Sequence, residues 1–229
     1  MSASYRVTFD AELGASALPA VMWAEGIALP STVLPLGMLD ELLVRVGRGE
    51  TMVPEDTRRE VRGMLRHGTY KPTGRGKPAS EFLLQAALRG EFPRVNGPVD
   101  ANNAISLASG YPGSVFDADL TGPALHLRYG RPGETYVFNP SGQSIDLEDL
   151  IVVCRATRDG WEPCGNPVKD AMATKIRPET RRVIAVLYVP RVFGQQEALA
   201  WAARFAELLA GTCQAESTGF ALASEGGAA

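Results

Sequence analysis

The sequence predicts an α+β fold, a single domain over residues 1–218 with a mixed, largely antiparallel sheet flanked by helices. Three observations carry this. The chain has 229 residues of which 45% are hydrophobic, enough to bury a core. Its patterned segments run strand, strand, three helices, a polar turn-rich centre, several strands and one closing helix, which is not the regular alternation of a doubly wound sheet. The run Arg182–Val189 (RVIAVLYV), closed by Pro190, is the strongest strand signal in the chain.

Taken in order, Tyr5–Phe9 alternates as a strand, and Ala20–Leu29 reads as a second strand bounded by Pro19 and Pro30. Leu36, Leu39, Leu42, Leu43 and Val46 have helical spacing, and Gly47 and Gly49 stop that helix. Pro54-Glu55-Asp56 opens the next helix with acids in its first turn, where the helix dipole favours them. Its apolar side is Val61, Met64 and Leu65, and Arg59, Arg62 and Arg66 share one exposed face. Lys71–Pro78 is a loop, and Ser80 then caps a helix through Arg89. Asp100 is placed to cap a helix through Ser109 that Gly110 ends. Val115–Ala118 and Ala124–Arg128 read as strands, and Thr135–Phe138 and Ser144–Asp146 flank the turn Asn139-Pro140-Ser141-Gly142. Ile151–Cys154 looks like a buried strand, Gln195–Leu209 like an amphipathic helix, and residues 219–229 like a flexible tail.

The net charge is −3, which excludes a globally basic nucleic-acid binder. Only Lys71, Lys77, Lys169 and Lys175 are lysines, and the remaining basic residues are arginines. A local basic strip, Arg58 to Lys77, holds Arg59, Arg62, Arg66, Lys71, Arg75 and Lys77, and such a strip binds phosphates even on an acidic protein. The alternative for the helical arginines is a solvated face. Cys154, Cys164 and Cys213 are too few and too widely spaced for a disulfide framework or a zinc site. No cofactor or metal is expected. The first residues lack a signal-peptide pattern, and no apolar run approaches the roughly 20 residues of a membrane span, so a cytoplasmic, reduced protein is expected.

Serine-hydrolase, Walker and zinc-protease motifs are missing. His67 and His126 stand alone, and Cys164 lies in what reads as an exposed turn. What remains is a polar centre, Arg94–Arg128, with Asn102, Asn103, Ser114, Asp117 and Asp119, joined further on by Asp170 and Thr174. Such groups hold a ligand, orient a water and present backbone N–H donors to an oxyanion.

The order of Asn96, Val99, Asp100 and Asn103, then Pro112, Phe116, Asp117 and Asp119, resembles the editing and tRNA-binding B3/B4 domain of the phenylalanyl-tRNA synthetase beta chain. The likeness continues through Arg128, Glu134, Leu147–Val152, Thr174 and Thr180, and covers about residues 71–189. It implies the same α+β fold and hydrolysis of a wrongly charged aminoacyl-tRNA ester, with aminoacyl-tRNA or a free amino acid as partner. By the same resemblance Asp170, Ser114 and Asn102 would act in catalysis. Asn103 and Thr174 would line the amino-acid pocket, Tyr111 would wall it or pack beneath the turn, and the basic strip would hold the acceptor end. The chain departs from the family at Ser114 (a family His), Asn102 (a family Thr), Cys154 (a family Asp) and Asp170-Ala171-Met172 (a family Gly-Gly-Glu). Three functions fit: a deacylase acting in trans, a non-catalytic amino-acid or tRNA binder, and a hydrolase of a small aminoacyl ester. Structural roles fit some of the same residues: Asp100 and Asn103 as braces of the central helix, Asp117 and Asp119 as acceptors for backbone N–H groups, and Arg128 with Glu134 as an ion pair.

Overall fold

The computed structural model describes residues 5–29 and 37–226. Strands β1 (Arg6–Phe9), β4 (Ala124–Tyr129), β7 (Ile151–Thr157), β8 (Gly160–Gly165) and β11 (Ser224–Glu225) form one sheet in the order β11-β1-β4-β7-β8. A second sheet, β10-β2-β9-β3, is made by β2 (Ala17–Glu25), β3 (Gly113–Asp117), β9 (Arg182–Pro190) and β10 (Ser217–Leu222). β5 (Thr135–Val137) and β6 (Ser144–Asp146) pair as a separate ribbon. β1 runs parallel to β4 and β11, and the other pairs are antiparallel, so the fold is α+β with mixed, largely antiparallel sheets.

β9 decides the layering. Ile184, Val186 and Tyr188 join Phe9, Leu125 and Leu127 between the two sheets. The alternate residues Val183, Ala185, Leu187 and Val189 pack instead under α5 (Gly97–Ser109) and α7 (Gly194–Cys213), against Ile105, Phe205 and Leu209. A strand covered on both faces has no polar side, which is why it reads as one continuous apolar run. Two further helices, α2 (Gly37–Gly47) and α4 (Ala79–Leu88), cover the outer side of α5 through Leu39, Leu42, Val46 and Ala87, which meet Ala104 and Leu107. The short helices α1 (Ala11–Gly14) and α6 (Ala118–Thr121) follow β1 and β3. α5 is therefore enclosed on most sides, and polar residues on it are interior residues.

Several expectations change. The second strand begins at Ala17 and passes through Pro19. Proline is tolerated there because the ladder with β10 ends at Ala20–Leu222, just before the missing N–H, while the Pro19 carbonyl accepts from Ala223 N–H at 2.9 Å. Pro30 and Leu36 lie outside the described residues. Asn96, not Asp100, caps α5: its side chain accepts from Val99 N–H. Asp100 sits inside the first turn and accepts from Val95 N–H and Arg94 Nε, both at 2.8 Å, which braces the entry to the helix. Ser80 is a buried residue of the first turn of α4, which follows Pro78 without a side-chain cap. Cys164 lies in β8, a strand the sequence reading missed, and is buried. The stretch expected to fray is built into both sheets through β10 and β11, and Gly227–Ala229 lie outside the described residues. The Arg128–Glu134 ion pair forms at 2.6 Å. Asp117 accepts from Asp119 N–H, whereas the Asp119 side chain pairs with Arg182.

Candidate functional site

A cavity of about 310 Å³ opens where α5, the outer strand β3 and the loop after β8 meet. Asn102 and Asn103 reach it from α5, Gly113 and Val115 from β3, and Asn166, Lys169, Asp170 and Lys175 from the loop. Asparagine is a poor residue for a helix interior, and two in succession on a buried helix break the local rule, as functional positions do.

Asn102 and Asn166 are fixed by backbone partners. Asn102 Nδ2 donates to Gly113 O at 3.2 Å, which leaves Oδ1 as an acceptor with no partner. Position 113 must be glycine for this approach, because a Cβ there would fall 2.4 Å from Asn102 Oδ1. Asn166 Oδ1 accepts from Val168 and Lys169 N–H, both at 2.8 Å, so its Nδ2 is a donor with no partner. Asp170 Oδ2 accepts from Val115 N–H at 3.4 Å, and Oδ1 is shut off from solvent and unpartnered. Each such orphaned polar atom costs about 1–3 kcal/mol. Three of them on residues lining one cavity mark a place built for something other than stability.

Burial pushes the Asp170 carboxyl up to about 7; the Ser114 hydroxyl, the Val115 and Asn166 N–H groups and the Lys175 ammonium act the other way. A carboxyl poised there exchanges protons at neutral pH.

Asn102, Asn103 and Asp170 thus line one cavity, and three other candidates stand off it. Ser114 is fully buried on the sheet-to-sheet side of β3, where its Oγ lies 2.9 Å from Tyr188 Oη and donates to Asn166 O. Thr174 is fully buried and donates to Cys164 O. Tyr111 packs at the sheet–helix interface with its ring against Phe193. Sequence reasoning missed Asn166, Lys169 and Lys175. The signal was present: three of the four lysines line this cavity or the groove beside it.

That groove, of about 920 Å³, begins at Lys169 and carries Lys71 and Arg75 of the basic strip. Arg59, Arg62, Arg66 and Lys77 do not line it. On α3 (Glu55–Leu65), Arg59 pairs with Asp56 at 2.7 Å and Arg62 with Glu81 at 2.6 Å, while Arg66 is exposed. The helix face is chiefly a solvated, ion-paired surface. Arg62→Ala is expected to cost less than about 1 kcal/mol, read by denaturant unfolding, because exposed ion pairs contribute little.

The remaining reactive side chains serve elsewhere. Burial pushes the Cys154 thiol up to about 12, Cys213 to about 11 and Cys164 well above its usual value, so thiolate chemistry is disfavoured at neutral pH. His126 is fully buried between Thr8 Oγ1 at 2.8 Å and Asp10 Oδ1 at 3.0 Å, joining β1 to β4. His67 stacks on Tyr129 at 3.6 Å and contacts Glu12 and Asp149. Among the described residues no cluster of three or more His, Cys, Asp or Glu is placed to hold a metal ion, and no helix is long and apolar enough to cross a membrane.

Fold and site together define an α+β module of two stacked sheets whose outer strand, with one buried carboxyl and fixed amides, walls a pocket of amino-acid size. The sequence matches the model of the B3/4 domain over residues 71–202, more than half of the chain, and the chain belongs to that family. Membership supports a tRNA-binding or editing-related module. Comparison with curated proteins finds no match. Among solved structures, an N-terminal fragment of the phenylalanyl-tRNA synthetase beta-subunit from Pyrococcus horikoshii is similar at 10% identity and a TM-score of 0.49. The alignment covers 90% of this chain and 48% of that one, so the chain spans about half the length of that structure.

Proposed function

We propose that the protein is an aminoacyl-tRNA editing module that hydrolyses the ester of a mischarged tRNA in trans. The observation that carries this reading is Asp170: an orphaned carboxyl titrating near neutrality, in the same small cavity as Asn102, Asn103 and Asn166. An aminoacyl ester is already activated, so positioning and one proton acceptor supply much of the rate. In this scheme ionised Asp170 takes a proton from a water whose oxygen adds to the ester carbonyl carbon. The Asn166 Nδ2–H, which has no other partner, is the donor for the oxyanion. The tetrahedral adduct then collapses, the bond to the ribose oxygen breaks, and Asp170 returns the proton to that oxygen. Asn102 Oδ1 is the acceptor for the substrate's ammonium group, and Asn103 shapes the pocket. Ser114 acts from behind, by holding the Asn166 carbonyl on the loop that carries Asp170.

The test is to charge a panel of tRNAs with cognate and near-cognate amino acids and follow ester loss. Acceleration over buffer for at least one mischarged pair is expected. No acceleration for any pair refutes the hydrolytic reading. A free amino acid that raises the melting temperature without any ester being turned over would instead identify a non-catalytic binding module.

A further inference from the structure

Two of the orphaned groups of the small cavity, Asn166 Nδ2 and Asp170 Oδ1, belong to the two ends of one loop, residues 166–170. Three main-chain carbonyls of this loop are held from outside it. Ser114 Oγ donates to Asn166 O at 3.3 Å, Ala79 N–H to Pro167 O at 2.9 Å and Tyr136 Oη to Lys169 O at 2.7 Å. Ser114 has one hydroxyl proton, and Asn166 O takes it. In its 2.9 Å contact with Tyr188 Oη the tyrosine is therefore the donor. Two tyrosine hydroxyls thus converge on the loop from different sides. Tyr188 comes from β9 between the sheets, through Ser114, and Tyr136 comes directly from the β5–β6 ribbon.

Both rings lie among apolar neighbours. Tyr188 is fully buried with Phe9, Leu127 and Val186, and Tyr136 packs on Leu147, Leu150 and Val168. Phenylalanine would fill either place without the cost of burying a hydroxyl. What the two hydroxyls add is the hold on the Asn166 and Lys169 carbonyls, next to the groups that the hydrolytic scheme uses. We propose, resting on the aminoacyl-ester reading, that Tyr136 and Tyr188 are positioning residues of this site, whose hydroxyls fix the loop so that the Asn166 amide and the Asp170 carboxyl stay aimed into the cavity. Neither tyrosine lines the cavity, and neither is its acid or base. Burial pushes both phenols far above their usual range, so both remain protonated donors at neutral pH. Loss of either hydroxyl frees a carbonyl, loosens the loop and lets water reach Asp170.

The experiment compares wild type with Tyr136→Phe and Tyr188→Phe, each of which removes one oxygen and keeps the ring. Two quantities are read: turnover of a mischarged aminoacyl-tRNA, and the titration midpoint of the Asp170 carboxyl, followed by carbon-detected NMR of aspartate-labelled protein. Asp170→Asn identifies the resonance. In each variant kcat is expected to fall at least about tenfold with KM close to that of wild type, since a small misplacement of the reacting groups acts on the transition state. The Asp170 midpoint is expected to drop from about 7 toward the ordinary carboxylate range, by about one pH unit, as water relieves its desolvation. Tyr129→Phe removes a comparable hydroxyl, 3.1 Å from Ser16 Oγ on β4, and is expected to change neither quantity. A ring that only fills the core would leave rate and midpoint unchanged in both variants. A midpoint that stays in place in both overturns the assignment whatever the rates do, and an equal drop in Tyr129→Phe overturns it too. Because the midpoint needs no substrate, the two readings separate. A shifted midpoint with no ester turned over by wild type defeats the hydrolytic scheme alone, and wild-type turnover with unmoved midpoints defeats the positioning role alone.

Discussion

Asp170→Asn is expected to slow ester hydrolysis by about 10²–10⁴-fold while leaving the fold intact, since a positioned acid–base group contributes on that scale. In the wild type the rate should rise with pH through about 7, as the carboxyl ionises, and then level; the variant should show no such rise. The same group makes a stability prediction of opposite sense. Its folded value near 7 lies above the roughly 4 of an unfolded carboxyl, so the folded state holds the proton more tightly. Wild-type stability therefore falls as pH climbs from about 4 through about 7, by up to about 4 kcal/mol, and is flat above that. Asp170→Asn removes the titration, so its melting temperature should exceed that of wild type at pH 8 and change little between pH 5 and 8. Melting curves at a series of pH values measure this. A variant that hydrolyses esters as fast as wild type, or melts lower at pH 8, would show that Asp170 is a strut and not the proton acceptor.

Phe116→Ala is expected to cost about 3–5 kcal/mol in denaturant unfolding, the range for truncating a large buried aromatic. Phe116 is fully buried between the two sheets, in the cluster with Ile184, Val186 and Tyr188. Gly165 of β8 lies directly against it: a Cβ there would fall 2.4 Å from the ring and 2.7 Å from Asp170 Oδ1. The ring thus props β8, and β8 leads into the loop that carries Asn166 and Asp170. Loss of Phe116 should therefore weaken both the core and the site, and the Michaelis constant for the ester should rise even at temperatures where the variant stays folded. Phe116→Leu, which retains most of the volume, should recover most of the stability.

Much of the fold was legible because its signals are local. Helical spacing placed α2 and α3, and the unbroken apolar run placed β9. β8 was missed because Gly160–Gly165 (GWEPCG) has a proline and little alternation; it is a strand by virtue of pairing with β7 across a register shift. The tail was misread for the same kind of reason. Ser217–Leu222 has no strong strand pattern, yet β2 offers it a free edge and six paired residues. Asp100 looked like the cap of the central helix, but Asn96 four residues earlier takes that place and Asp100 turns back to hold Arg94 and Val95.

In the site, the kinds of residue could be read from the chain alone: the consecutive asparagines, the turn into β3 and the lone acid at 170. Their local chemistry fits poorly in a helix or a buried loop, and that misfit is visible without a structure. Which of them share a cavity was decided only by tertiary structure. Ser114 and Val115 are neighbours in sequence, but strand alternation sends Ser114 between the sheets to Tyr188 and Val115 to the pocket. Asn166, Lys169 and Lys175 come to the same wall because the β7–β8 hairpin folds its exit loop back along the outer edge of β3. The raised titration of Asp170 belongs to that assembly too, since desolvation is a property of everything packed around a carboxyl and not of the residues beside it in the chain.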